Sequence, residues 1–409
     1  MADSAFNPYK LNHLLLRNRI VRSATYEGGC DINGYPGRSY ERIYKTLSAN
    51  NAGLIITGFA FISPEGRAMQ KGQAGMDRDD KIKAFQKITD TVHSNGGHII
   101  MQIAHTGRQT REEVTGSVPY SSTKRRSVYF RQRTKLLDDD KIKTIIQQFV
   151  NAAVRAKEAG FDGIQLHAAH GYLIHQFLLP ETNNLSGEYG INKSIGLGTA
   201  FLNKIYDGIR EKCGSRFLVL IKISGNHDLS DDFYPDKFRS LIQFLDRKGF
   251  DAIEISCGTM DYALNIFRGE LNLERVFEQN MIFKTKSTLK RKIIGYYLEK
   301  FISSKFREFV PVYNLFFADR AKELTNIPVI SVGGFRSKSE IEKAISGKSA
   351  DLVAMSRPFI CEPDIINKMT AAAGDYRSIC RNCNDCVFMC DSGRATTCYS
   401  VKQPQEVTK

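Results

Sequence analysis

No stretch of this 409-residue chain approaches the ~20 consecutive apolar residues that a membrane-spanning helix needs. The first ten residues, MADSAFNPYK, are polar and lack the apolar core of a secretory signal. These two absences point to a cytoplasmic protein. Internal repeats and low-complexity segments are missing as well. No zinc finger, RNA-binding aromatic motif or helix-turn-helix pattern accompanies the basic residues, so nucleic acid is not an expected partner. A Gly-rich dinucleotide turn after an early strand is also lacking. The nearest match, Gly196 and Gly198, follows no strand, which disfavours an open doubly wound sheet. What remains is the composition of a globular protein, 42% hydrophobic and 25% charged, long enough for one large barrel or two ordinary domains.

The net charge is +14, and much of it is local. Residues 282–307 carry Lys284, Lys286, Lys290, Arg291, Lys292, Lys300, Lys305 and Arg307 against a lone Glu299. Residues 122–135 add Lys124, Arg125, Arg126, Arg131, Arg133 and Lys135. Such runs form solvated faces, or a docking surface for an acidic partner, a phosphate group or a membrane. For 282–307 we expect an electron-donor protein or another anionic surface.

Short apolar, β-branched runs alternate with amphipathic helical stretches. The expected strands are Ile20–Ser23, Gly53–Thr57, His98–Ile103, Gly163–His167, Leu218–Ile223, Ala252–Ser256, Pro328–Val332 and Leu352–Met355. Between them lie helices such as Lys141–Ala159, with Gly160 just past its end. Eight strand–helix repeats with continuous buried strands predict an α/β fold, a closed (β/α)8 barrel. The barrel is expected over residues 1–365, with an insertion at about 258–310 between strands six and seven. A cysteine-rich tail, 366–409, would pack on it.

In such a barrel the functional residues gather at the C-terminal ends of the strands. Strand three runs into Gln102–Arg108 (QIAHTGR), strand four ends at His167, His170 and Tyr172, and strand five carries Lys222. Two imidazoles can donate hydrogen bonds to a carbonyl or nitro oxygen, and a tyrosine can deliver a proton to carbon. Gly333 and Gly334 follow strand seven, and Ser356 and Arg357 follow strand eight. A turn that opens a helix N-terminus there, with an arginine one strand away, is expected to bind phosphate.

The chain resembles the Old Yellow Enzyme family of FMN oxidoreductases over nearly its whole length. The matching segments are Leu16–Thr25 (LRNRIVRSAT), Gly53–Gly58 (GLIITG), Gln102–Arg108, Glu158–Tyr172 (EAGFDGIQLHAAHGY), Gln176–Leu178, Glu188–Gly190, Pro328–Gly334 (PVISVGG) and Asp351–Pro358 (DLVAMSRP). The resemblance implies that Ser23, Ala24, Thr25 and Gly58 lie along FMN, and that Gln102 hydrogen-bonds its pyrimidine edge. It places the charge of Lys222 by the N1–C2 region of the flavin. Gly333, Gly334, Ser356 and Arg357 would hold the phosphate. His167 and His170 would bind the substrate's activating oxygen, and Tyr172 would be the proton donor. The implied reaction is NAD(P)H-driven reduction of an electron-poor alkene, with both substrates using one face of the flavin. A homo-oligomer is expected. Phe59, Tyr26 and Leu185 depart from the family pattern, and Phe59 and Tyr26 are bulky where smaller residues are common.

Nine cysteines are present, and Cys380, Cys383, Cys386, Cys390 and Cys398 crowd the last thirty residues. Cys380-x2-Cys383-x2-Cys386-x11-Cys398 suits a [4Fe–4S] cluster, tetrahedral zinc, or a tail of free thiols. Longer members of the superfamily, similar to trimethylamine dehydrogenase and 2,4-dienoyl-CoA reductase, hold a [4Fe–4S] cluster on such a tail. The cluster is therefore the expected occupant of the four cysteines. Two other readings stand beside the ene-reductase. One is an amine dehydrogenase or demethylase, against which the histidine pair speaks, because a cationic substrate prefers an aromatic cage. The other is an electron-transfer flavoprotein fed by a separate partner.

Overall fold

The computed structural model describes residues 3–401. Eight parallel strands close into a barrel: β1 (Ile20–Arg22), β2 (Leu54–Ile56), β3 (Ile99–Ala104), β4 (Gly163–Ala168), β5 (Leu218–Ser224), β6 (Ala252–Ser256), β7 (Val329–Val332) and β8 (Leu352–Met355). Each pairs with its neighbours in sequence, and β8 returns to β1 with Val353 opposite Ile20. All eight expected strands are present, with ends that differ by one residue at most.

Eight helices follow the strands: α1 (Arg38–Ala49), α2 (Ile82–Ser94), α3 (Asp139–Glu158), α4 (Ala200–Cys213), α5 (Asp236–Lys248), α6 (Leu315–Lys322), α7 (Lys338–Ser346) and α8 (Ile365–Ala371). Their boundaries follow local chemistry. The Asp138 carboxylate caps α3 by accepting from the Lys141 N–H, Asp139 and Asp140 sit in its positive first turn, and Arg155 and Lys157 in its last. The expected division at residue 365 falls at the first residue of α8.

Strand alternation divides the core in two. On β2, Ile55 joins the layer between strands and helices, whereas Leu54 and Ile56 point into the barrel. Val21, Ile100, Leu218, Leu220, Ala252, Ile330, Leu352 and Ala354 share that interior. A hairpin, Tyr9–Leu11 paired with Leu14–Leu16, plugs the floor with Leu11, Leu14 and Leu16. The lower barrel is thus filled with aliphatic side chains, and anything polar is displaced to the upper end.

Between β6 and α6 the chain makes a long helical excursion that includes Leu273–Gln279, Thr288–Tyr297 and a π turn, Leu298–Ile302. The cysteine segment lies over the top of the barrel. The Asn384 side chain accepts from Arg357, and the Thr396 N–H donates to the Glu27 carbonyl.

Candidate active site

One residue pair above the aliphatic floor, the same inward alternation delivers polar side chains. Ser23 follows Val21, Gln102 follows Ile100, Lys222 follows Leu220, Glu254 follows Ala252, and Ser356 follows Ala354. They form a continuous buried network. The Gln102 amide donates to Gln165 (2.7 Å), and the Gln165 amide donates to Glu254 (2.8 Å). Ser23 donates to Glu254 (2.6 Å), and Lys222 donates to Ser23 (2.9 Å) while standing 3.3 Å from the Glu254 carboxylate. Thr25 and Ser356 share a hydroxyl–hydroxyl bond of 2.7 Å. Burial lowers the Lys222 pKa, and Glu254 opposes that shift.

Above this network lies a cavity of about 330 Å³. It is lined by Ser23, Ala24, Thr25, Gly58, Gln102, His167, His170, Tyr172, Lys222, Gly333, Gly334, Ser356 and Arg357, so the thirteen expected residues outside the cysteine tail meet at one place.

His167 is the last residue but one of β4, and the turn beyond the strand carries His170 at φ +61° and Tyr172. The His167 ring lies 4.8 Å from both His170 and Tyr172, centroid to centroid. Phe59 leans on the same group, 5.0 Å from Tyr172 and 5.8 Å from His167, and so takes space on the substrate side. Burial holds both histidines well below the ordinary imidazole range, with Lys222 adding to the shift, and it raises the Tyr172 phenol. Neutral imidazoles and a protonated phenol are the forms that donate hydrogen bonds without carrying charge. The two histidines are not equivalent. His167 Nδ1 accepts from the Ala169 N–H at 3.4 Å, which places its proton on Nε2. His170 Nε2 is engaged with the Ser256 hydroxyl at 2.8 Å, and Ser256 also lines the cavity.

At the other end of the cavity two guanidiniums, those of Arg336 and Arg357, line the wall. Arg357 donates to the Arg268 carbonyl (3.0 Å) and the Asn384 side chain (2.5 Å). Arg336 donates to Asn382 (3.1 Å) and the Phe335 carbonyl (2.6 Å). Arg268 stacks on Tyr313 at 4.1 Å. Their hydrogen-bond partners are neutral, so the positive charge is left for a bound anion. Burial and the nearby Arg357 pull the Arg336 pKa down to about 10. Gly333 (φ +132°) and Gly334 (φ +87°) adopt backbone angles that only glycine takes readily, and an added Cβ at Gly333 would strike Tyr313 at 2.5 Å.

The helix expected to open directly at this turn does not. The helix, α7, starts at Lys338, and its first turn is closed by a capping box: Ser337 accepts from the Glu340 N–H, and the Glu340 carboxylate accepts from the Ser337 N–H. With those amides satisfied and a carboxylate beside them, the anion-binding charge comes from arginines rather than from this helix terminus.

The chain matches the profile of the family described as "NADH:flavin oxidoreductase / NADH oxidase family" over residues 4–256 and 274–374. It belongs to that family of oxidoreductases. It is 30% identical over 391 residues to an NADH oxidase of Thermoanaerobacter brockii, covering 95% of this chain but 54% of that protein. It is 26% identical to a 4,4'-dithiodibutanoate disulfide reductase of Rhodococcus erythropolis, covering 94% of this chain and 92% of the other. The chain therefore spans about half the length of the first relative and nearly all of the second. A solved morphinone reductase shares the fold, with a TM-score of 0.71, 23% identity and 92% coverage of both chains.

The cavity has the chemistry that an FMN of this family requires: hydrogen-bonding groups on its floor, an uncompensated cationic end, and glycines where the backbone must approach closely. Cys380, Cys383, Cys386 and Cys398 line a second, small hollow of about 20 Å³ beside Arg357, and Cys361 joins them. Among the described residues no three His, Cys, Asp or Glu side chains are arranged to hold a metal ion. Cys390 faces the main cavity instead, and its thiol donates to the Cys386 carbonyl.

Glu254, Gln165, Arg336, Arg268 and Cys361 were not foreseen. A signal existed for the first two, because both occupy inward positions on their strands. Arg336 is brought in by a loop, Arg268 by the insertion and Cys361 by the short helix Arg357–Cys361, and no local pattern marks them. The Lys222–Glu254 pair carries a direct prediction. Lys222→Met leaves the Glu254 carboxylate buried without its cation and is expected to cost about 3–5 kcal/mol of stability in urea melts. Lys222→Met combined with Glu254→Gln is expected to recover most of that loss. Recovery absent in the double variant would mean the two charges are not coupled.

Proposed function

We propose that this protein is an ene-reductase: it uses NAD(P)H and FMN to reduce an electron-poor alkene, with His167 and His170 on the activating oxygen and Tyr172 as proton donor. The observation that carries the reading is the packing of His167, His170 and Tyr172 against one another on the wall of a cavity whose far end is cationic. Bound FMN supplies hydride transfer between the nicotinamide and the substrate.

The protein's own groups supply the rest. Gln102 and Lys222 would hold the flavin ring together with the backbone of Ser23, Ala24, Thr25 and Gly58, and Gly333, Gly334, Ser356, Arg357 and Arg336 would hold its phosphate; all of them line the one cavity. His167 donates from Nε2 to the substrate carbonyl oxygen and withdraws charge from the alkene. His170 reaches the same oxygen once Ser256 turns away, or acts through the Ser256 hydroxyl. His167 is preorganised by burial with Nε2 uncommitted, so it stabilises negative charge developing on oxygen without reorganising. Tyr172 keeps its proton until the carbon beside the carbonyl takes it.

Cys380, Cys383, Cys386 and Cys398 are the residues that would hold a [4Fe–4S] cluster: they line one hollow and their short spacing suits it. A reduced nicotinamide supply and the lack, among the described residues, of any helix able to cross a membrane fit action in the cytoplasm.

Anaerobically purified protein tests both parts. Stopped-flow mixing with NADH or NADPH is expected to bleach the flavin absorbance, and cyclohexenone to restore it. Failure of both nucleotides to bleach it would overturn the ene-reductase reading. Iron and acid-labile sulfide are expected at about four each per chain, and their absence would remove the cluster.

A further inference from the structure

The basic segment after β6 folds as a helix, Thr288–Tyr297, continued by a π turn to Ile302. Its large apolar side chains face solvent. Leu289 is 68% exposed, Ile293 60%, Tyr296 58% and Phe301 54%. The first three lie at i, i+4 and i+7, one stripe of a helix. Lys286, Lys290, Lys292 and Lys300 are exposed around it, with Glu299 the one carboxylate of 282–307. A monomer rarely shows such a stripe to water without a use for it.

The stripe also borders the active-site cavity. Tyr297, Leu298, Ile302 and Phe306 line its wall, and Arg131, from the second basic segment, lines it too and donates to the Tyr297 hydroxyl at 3.2 Å. Residues of both basic segments therefore line the same cavity.

We propose that this face docks on an anionic lipid bilayer, with Leu289, Ile293, Tyr296 and Phe301 in the acyl–headgroup boundary and the lysines on lipid phosphates. The occupant must offer negative charge and hydrocarbon together over a convex helix rather than a groove, which is what an anionic leaflet offers. A second copy fits poorly, because packing stripe on stripe would bring the eight cations of each 282–307 segment together. The contact is peripheral, since no helix of the described residues can span a membrane. The same segment that docks supplies Tyr297, Leu298 and Ile302 to the cavity wall. This inference is independent of the chemistry proposed above.

The chain contains no tryptophan, so Ile293→Trp places a single indole reporter on the stripe. The flavin-loaded protein is incubated with vesicles of phosphatidylcholine alone or with 30% phosphatidylglycerol. Sedimentation is expected with the anionic vesicles only. It should be accompanied by a blue shift of the indole emission and its quenching by brominated acyl chains. Lys290→Gln with Lys292→Gln is expected to weaken partitioning roughly 25-fold, about fivefold per lysine. Leu289→Gln with Ile293→Gln is expected to weaken it roughly tenfold or more. All four positions are exposed, and unchanged thermal melts would show intact folds. No sedimentation with anionic vesicles overturns the proposal. So does sedimentation without quenching, or a concentration-dependent dimer that the same substitutions abolish.

Discussion

Tyr172→Phe is expected to lower turnover of cyclohexenone by about 10² to 10⁴ while leaving bleaching of the flavin by NADPH within a few-fold of the parent rate. The substitution removes one hydroxyl and keeps the ring, whose contacts with His167 and Phe59 hold this wall of the cavity together. Burial keeps the phenol protonated, so the proton is available across the neutral and mildly alkaline range. Only the step that delivers a proton to carbon should feel its loss. A variant in which both half-reactions slow equally would assign Tyr172 to packing or to nucleotide binding. A variant at parent rate in both would remove it from the mechanism.

Acid should unfold this protein earlier than its carboxylates alone would require. His105, His167, His175 and His227 are buried and His170 is half-buried, and loss of water lowers all five, His105 and His227 to about 4. The unfolded imidazole titrates near 6.5. Above that value both states are neutral and the histidines contribute nothing to the pH dependence. Below it the unfolded chain binds protons that the folded chain refuses, so stability is lost as pH falls through about 6.5. Between pH 7.5 and 5 a histidine that stays uncharged in the fold costs up to about 2 kcal/mol. Three groups of raised pKa, Glu27, Asp228 and Asp391, oppose this over part of the range, as does His93, which its bond to Asp162 raises. The net loss is expected to be several kcal/mol, a large share of a domain's stability. Urea midpoints at pH 7.5 and 5.0 check it. Equal midpoints would show that the histidines are charged in the fold or are open to water.

The asymmetry of His167 and His170 sharpens the histidine pair. From spacing alone the two are interchangeable donors. In the fold His167 has Nε2 available and His170 Nε2 is held by Ser256, a residue 86 positions further on. The cationic end tells the same story. Arg357 was readable because it follows a strand, whereas Arg336 lies beyond the glycine turn and is aimed by Asn382 from the tail.

The sequence by itself determined the strands, their order and the barrel. Each strand is a short, buried run, and alternation along it is a local property. For the same reason it determined the inward residues Ser23, Gln102, His167 and Lys222, which are set by parity on their own strands. Only the tertiary structure decided what those residues meet. Glu254 against Lys222, Ser256 against His170, Cys361 beside the tail thiols and the open apolar stripe on a cationic helix all depend on segments far apart in the chain. Charge compensation, cavity shape and exposure are properties of several segments brought together, and no single segment carries them.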